Sequence, residues 1–164
     1  MKSRHIAESG ILIGATLVIL YATSILPIST LSVLTLASCL IPISIIRLSI
    51  RDAILVYISS SLLSFFILPI KMFIYYALFF GIYGIIKYFI EKLNKIPLEI
   101  LLKLISFNIL LCLIYFIAIN FLGNIVIKFP LYLLWIVSQI AFIIYDYALT
   151  LIISFYLQRL HKHI

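Results

Sequence analysis

Six apolar runs, each about as long as a bilayer's hydrocarbon core is thick, dominate this chain. They cover roughly residues 5–26, 30–46, 53–68, 72–90, 98–122 and 131–157. About 20 apolar residues in a helix cross a hydrocarbon layer of about 30 Å. The 164 residues are 66% hydrophobic and only 10% charged, with a mean hydropathy of +1.33. Soluble chains are about 45–50% apolar and about 25% charged, so no soluble core of this size absorbs so much apolar surface. Strands of a membrane barrel would alternate apolar and polar residues, and these runs do not. The expected fold is an all-α membrane protein: one integral membrane domain over residues 1–164, built as a six-helix bundle.

Charge supplies an orientation. Lys2, Arg4, Arg47, Arg51, Lys87, Lys92, Lys95, Lys103, Arg159 and Lys162 fall on one side of a six-span arrangement, and only Lys71 and Lys128 on the other. Cytoplasmic loops carry the excess of Lys and Arg, so both termini are expected in the cytoplasm. The net charge of +7 is thus a topology signal. Its scatter over four short patches gives no basic face for nucleic acid. MKSRHIAESG resembles the start of a secretory signal, but no small-x-small cleavage site follows, and the first run reads as a retained helix. Pro27 ends that run, Pro42 is expected to kink the second, and Pro69 closes the third. Cys39 and Cys112 sit inside apolar runs and read as buried thiols.

Asp146 is the one acidic residue deep inside a span. An aspartate at a helix centre costs about 2.5–3.5 kcal/mol on insertion scales, which favours an interior place with a polar partner. Gln139, Asp146 and Thr150 follow at steps of seven and four and so share a face, which Trp135 and Phe142 extend. Asn108 in the fifth run is expected at a similar depth. Two readings stay open: a ligand, ion or proton site, or a hydrogen-bond network that fixes packing. Ser60 and Ser64, four apart in a serine-rich third run, either line a polar cavity or let helices pack closely. Tyrosines such as Tyr57, Tyr75, Tyr76, Tyr83, Tyr88, Tyr115, Tyr145 and Tyr147 suit packing, interface anchoring or stacking on a flat ligand. Arg47, Arg51 and Asp52 gather in RLSIRD, for lipid head groups or a cytoplasmic partner.

The constellations of an enzyme are missing. No Gly-rich phosphate loop, HExxH or GxSxG occurs, and Glu8, Glu91 and Glu99 lie near span ends, far from Asp146. His161 and His163 alone do not make a metal site. The expectation is a protein with no catalytic residue, no metal and no cofactor.

The first run opens with AESGILIGAT. Ala7, Gly10 and Gly14 fall at i, i+3 and i+7 and form one smooth helical strip, widened by Ala15. Six short-looped helices in under 200 residues, both ends inside, with Gly10-Ile-Leu-Ile-Gly14 standing for an alanine-x-x-x-alanine pattern, resemble the S component of an energy-coupling-factor (ECF) transporter. The architecture is also similar to that of small multi-span proteins of Gram-positive bacteria. The first resemblance implies a substrate-binding integral membrane subunit for uptake of a vitamin or similar small molecule, in a bacterial plasma membrane. It implies docking through Ala7, Gly10, Gly14 and Ala15 to a membrane coupling subunit that carries two ATPases. Substrate would meet Asp146, Asn108, Gln139, Thr150, Ser60, Ser64 and Trp135 in the outer half of the bundle. Two other functions fit the same sequence: a non-transporting scaffold or assembly factor of the cell envelope, and a small autonomous ion-coupled transporter.

Overall fold

The computed structural model describes residues 3–25, 29–122 and 131–161. Lys2, Pro27, Lys128, Lys162 and His163 lie outside them, as do the side chains of Arg4, Arg159 and His161. The described chain is helical: α1 Ser3–Ile25, α2 Thr30–Arg47, α3 Ile50–Ile67, α4 Ile70–Glu91, α5 Ile96–Leu122 and α6 Leu131–His161. Six helices are long and apolar enough to cross a membrane. Helices answer the demand of a water-free solvent, because every internal backbone N–H and C=O pairs within its own segment.

Two compact units make up the chain, Met1–Asn94 and Lys95–Ile164. Between them Asn94 adopts a left-handed backbone, φ 51°, a conformation asparagine tolerates and helix ends use.

In the first unit α1 packs on α2 and α3, and α4 also packs on both. Leu12, Ile41, Val56 and Ile85, one from each helix, meet in one buried cluster. The faces that meet are rich in small residues. Beyond Asp52 at its start, α3 buries Ala53, Val56, Ser60 and Ser64, spaced three and four apart. Small side chains let backbones approach, which drives helix association where lipid is as apolar as leucine. Their hydroxyls are satisfied locally. Thr16 donates to the Leu12 carbonyl at 2.7 Å, Ser44 to Ile41 at 2.6 Å, Ser60 to Tyr57 at 3.0 Å and Ser64 to Ser61 at 2.8 Å. Bonding back to a carbonyl three or four residues earlier removes the cost of a buried hydroxyl.

α2 runs through Pro42 to Arg47, and the proline ring has a packing role. A Cβ on Gly84 would stand 2.9 Å from Pro42 Cδ. One turn earlier, a Cβ on Gly81 would stand 2.7 Å from Tyr57 Cε2. Just before these glycines, Tyr76–Phe80 forms a π-helical turn. Tyr57 Oη donates to the Ala77 carbonyl inside that turn at 2.7 Å, and the Tyr76 hydroxyl lies 2.8 Å from Ser60 Oγ. The Ala77 carbonyl of this turn is thus answered from α3.

In the second unit α5 and α6 run antiparallel. Lys103 meets Asp146, Phe107 stacks on Phe142 with ring centroids 4.3 Å apart, and Asn108 meets Gln139. Steps forward along α5 are matched by steps back along α6. Long side chains make these contacts, in contrast to the small residues of the first unit.

Gly84→Ala should therefore lower the stability of the detergent-purified protein by about 1–3 kcal/mol, the usual cost of overpacking. Gly14→Ala should not, since a Cβ there meets nothing within 4 Å and alanine is the better helix former by about 1 kcal/mol. Thermal unfolding of the two variants side by side measures the difference.

Candidate functional site

Asp146 lies midway along α6 in a span of high hydropathy, and its carboxylate is answered by Lys103. The Lys103 ammonium donates to Asp146 Oδ2 at 3.1 Å, with the two side chains 13% and 19% exposed. Lys103 sits two turns into α5, so a charge assigned from the sequence to the cytoplasmic rim in fact reaches a partner within the span. Its flexible four-carbon stem makes that reach possible. Thr150 donates to the Asp146 backbone carbonyl at 2.9 Å.

One to two turns further along the pair of helices is a second polar cluster. Trp135 Nε1 donates to Asn108 Oδ1 at 3.0 Å, and Gln139 Nε2 donates to the same oxygen at 2.9 Å. Asn108 Nδ2 in turn donates to the Leu104 carbonyl at 2.8 Å. The amide is thus held on both sides, while half of Trp135 stays exposed. The stacked Phe107 and Phe142 rings lie between the two clusters in sequence register. The expected stripe of Gln139, Asp146 and Thr150 is therefore divided: Gln139 and Trp135 go with Asn108, and Asp146 goes with Lys103.

Ser60 and Ser64 belong to the first unit. Both are fully buried, and their hydroxyls bond to their own helix, with Ser60 also meeting Tyr76. That is the pattern of close helix packing.

Beside the ion pair the second unit carries a groove of about 320 Å³. Ile96, Ile100, Leu104, Phe142, Ile143 and Tyr147 form its apolar lining, and Glu99, Lys103, Asp146 and Thr150 its polar one. Its volume is at the small end of ligand sites, about 300–1,000 Å³. The groove lies toward the end of the unit at which α5 begins. Among the described residues no three His, Cys, Asp or Glu side chains gather as a metal would require.

The smooth strip of α1 presents a different surface. α1 buries Leu12, Thr16, Leu20 and Thr23, and the opposite face exposes Ala7, Gly10 and Gly14, with Ala15 half-buried at its edge. Among the described residues nothing approaches within 4 Å of a Cβ at Gly10 or Gly14. Ile11 and Val18, each more than 70% exposed, flank the glycines. Near the start of α1, His5 Nδ1 lies 3.2 Å from Asp52 Oδ2, and Glu8 lies 3.9 Å from Arg47. Asp52 is also tied to Ser49, the residue that caps α3. Two of the three RLSIRD charges thus hold helix ends together within the unit.

The fold and these sites define a class, a multi-pass all-helical membrane protein with an ion pair inside one pair of spans. No protein-family model matches the chain, and neither a curated protein nor a solved structure is significantly similar to it.

Removing one member of a desolvated ion pair leaves the other charge unanswered, at about 3 kcal/mol or more, whereas replacing both by apolar residues is often neutral. Lys103→Met should thus destabilise the protein strongly, and the double variant Lys103→Met/Asp146→Leu should recover most of the loss. Unfolding midpoints of the two singles and the double close the cycle; additive losses would show that the pair is not coupled.

Proposed function

We propose that this chain is the substrate-binding membrane subunit of an ATP-driven uptake transporter of the energy-coupling-factor kind, for a vitamin or similar small molecule. It would reside in a bacterial plasma membrane with both termini in the cytoplasm. The carrying observation is the Lys103–Asp146 pair beside an open groove. Charges within spans are rare and usually mark substrate or ion pathways, and this pair borders a space of ligand size. In the proposed orientation the groove would lie in the cytoplasmic half of the two spans, the side on which an uptake subunit must release its cargo. This proposed placement differs from the outer-half site that the family resemblance implies.

The open strip of Ala7, Gly10 and Gly14 supports the second half of the reading. A chain without a phosphate-binding loop needs ATPases on another subunit, and small-x-x-x-small faces let helices of two chains approach closely. A second reading draws on the closed bonding of Asn108, held by Trp135, Gln139 and Leu104: a scaffold or assembly factor of the cell envelope, in which such networks only fix packing.

Affinity purification of the tagged chain from native membranes separates the two. A membrane coupling subunit and two ATPases should come with the wild type, and Gly10→Leu/Gly14→Leu should lose them without loss of folding. Recovery of envelope-synthesis proteins in their place would establish the scaffold instead.

A further inference from the structure

Asn108 is the central residue of the 25-residue span Ile96–Asn120. A carboxamide at that depth has no water to bond, so its donors and acceptors need other partners. The bonding there fixes the amide orientations. An indole N–H only donates, so the atom that Trp135 Nε1 meets at 3.0 Å is the Asn108 oxygen. Gln139 then reaches the same oxygen through Nε2, at 2.9 Å, which leaves Gln139 Oε1 outside the network. The neighbouring hydroxyl, Ser138, is committed to the Trp135 carbonyl. Among the described residues no donor reaches Gln139 Oε1, and the second Nε2 hydrogen finds no acceptor. Gln139 is half-buried, and Ile136, one turn before it, is exposed. An amide with one free acceptor and one free donor is complementary to itself. Two such groups related by a two-fold axis bond each other reciprocally. α5 offers a matching row. Leu101, Ile105, Asn108 and Cys112 follow at steps of four, three and four, and all but Asn108 are exposed. That is the spacing of a seam between helices, in which a single polar side chain fixes register.

We infer that the chain pairs with a second copy of itself in the membrane. The two-fold contact runs along α5 and α6 and is joined near its centre by reciprocal hydrogen bonds between the two Gln139 amides. The inference uses no residue of the α1 strip or of the ion pair, and so goes beyond the uptake reading without depending on it.

The test counts chains in a bilayer. Full-length protein carrying one fluorescent tag per chain, diluted into liposomes, should bleach in two steps. Gln139→Leu should weaken pairing about tenfold, the effect of losing two interhelical amide hydrogen bonds. Ile136→Trp adds bulk one turn from Gln139, leaves the hydrogen bonds intact and should weaken pairing as well. Thermal unfolding checks that each variant is folded, and either variant alone decides if the other is not. Cys112 maps the seam, since Cys39, the only other cysteine, is buried. In native membranes, Cys39→Ser protein oxidised with copper phenanthroline should run as a linked pair of chains on a non-reducing gel. Leu113→Cys with both native cysteines changed to serine moves the thiol one step round α5 and should link far less. Single-step bleaching of the wild type overturns the inference, and so does two-step bleaching that persists in the folded variants. Equal linkage from Leu113→Cys overturns it too, because the chains then meet by random collision. Linkage of Cys112 to a protein of different mass also overturns it, because another chain then covers the seam.

Discussion

Hydrocarbon offers no hydrogen bonds, and this one property of the solvent shapes most of the protein. A backbone amide left unpaired in it costs several kcal/mol. Helices satisfy that demand along their length, but side-chain hydroxyls and irregular turns need separate provision. Thr16, Ser44, Ser60 and Ser64 return their protons to carbonyls of their own helices. The π-helical turn at Tyr76–Phe80 is admitted because Tyr57 reaches its Ala77 carbonyl.

The two units meet the same demand with different side chains, and the difference bears on function. In the first, Gly81 and Gly84 bring α4 against Tyr57 and Pro42 so closely that a methyl group would collide. Contacts of that kind are intolerant of volume change. In the second, Lys103, Phe107, Asn108, Trp135 and Phe142 bridge between helices. Bridges of long side chains leave space beside them, and the groove at Asp146 is such a space. A closely packed first unit bearing the exposed strip and a second unit bearing the groove suit the proposed division between partner docking and substrate binding.

Much of this was legible in the sequence because the signals were those of composition and period. The six spans follow from runs of apolar residues, and the observed helices begin and end within a few residues of them. Asp146 was visible as an exception to that pattern. Its partner was not, because Lys103 lies near a span end, where a lysine ordinarily marks the rim. Only the antiparallel register of α5 and α6 brings it to Asp146. The same register assigns Gln139 to Asn108, a choice that spacing along one helix could not make. The π-helical turn left no trace in periodicity, since its cause is tertiary: an α3 tyrosine, Tyr57, positioned to donate to the Ala77 carbonyl of that turn. Gly81 and Gly84 are legible as small residues, but a proline within a helix signals a kink and not the close contact that its ring makes with Gly84.

The glycines carry the argument for a partner furthest. Glycine inside a helix is less favourable than alanine by about 1 kcal/mol. At Gly81 and Gly84 that cost is offset within the chain, because only hydrogen fits beneath Tyr57 and Pro42. At Gly10 and Gly14 nothing among the described residues offsets it: a Cβ at either would meet none of them within 4 Å. Lipid tails make no demand for hydrogen over methyl, so a bilayer neighbour gives no return for the loss. A second helix backbone does, by gaining close contact along the strip. The same residue type thus serves two ends. One pair closes α4 onto its own unit, and the other leaves α1 flat for a surface that belongs, in the reading proposed here, to another chain.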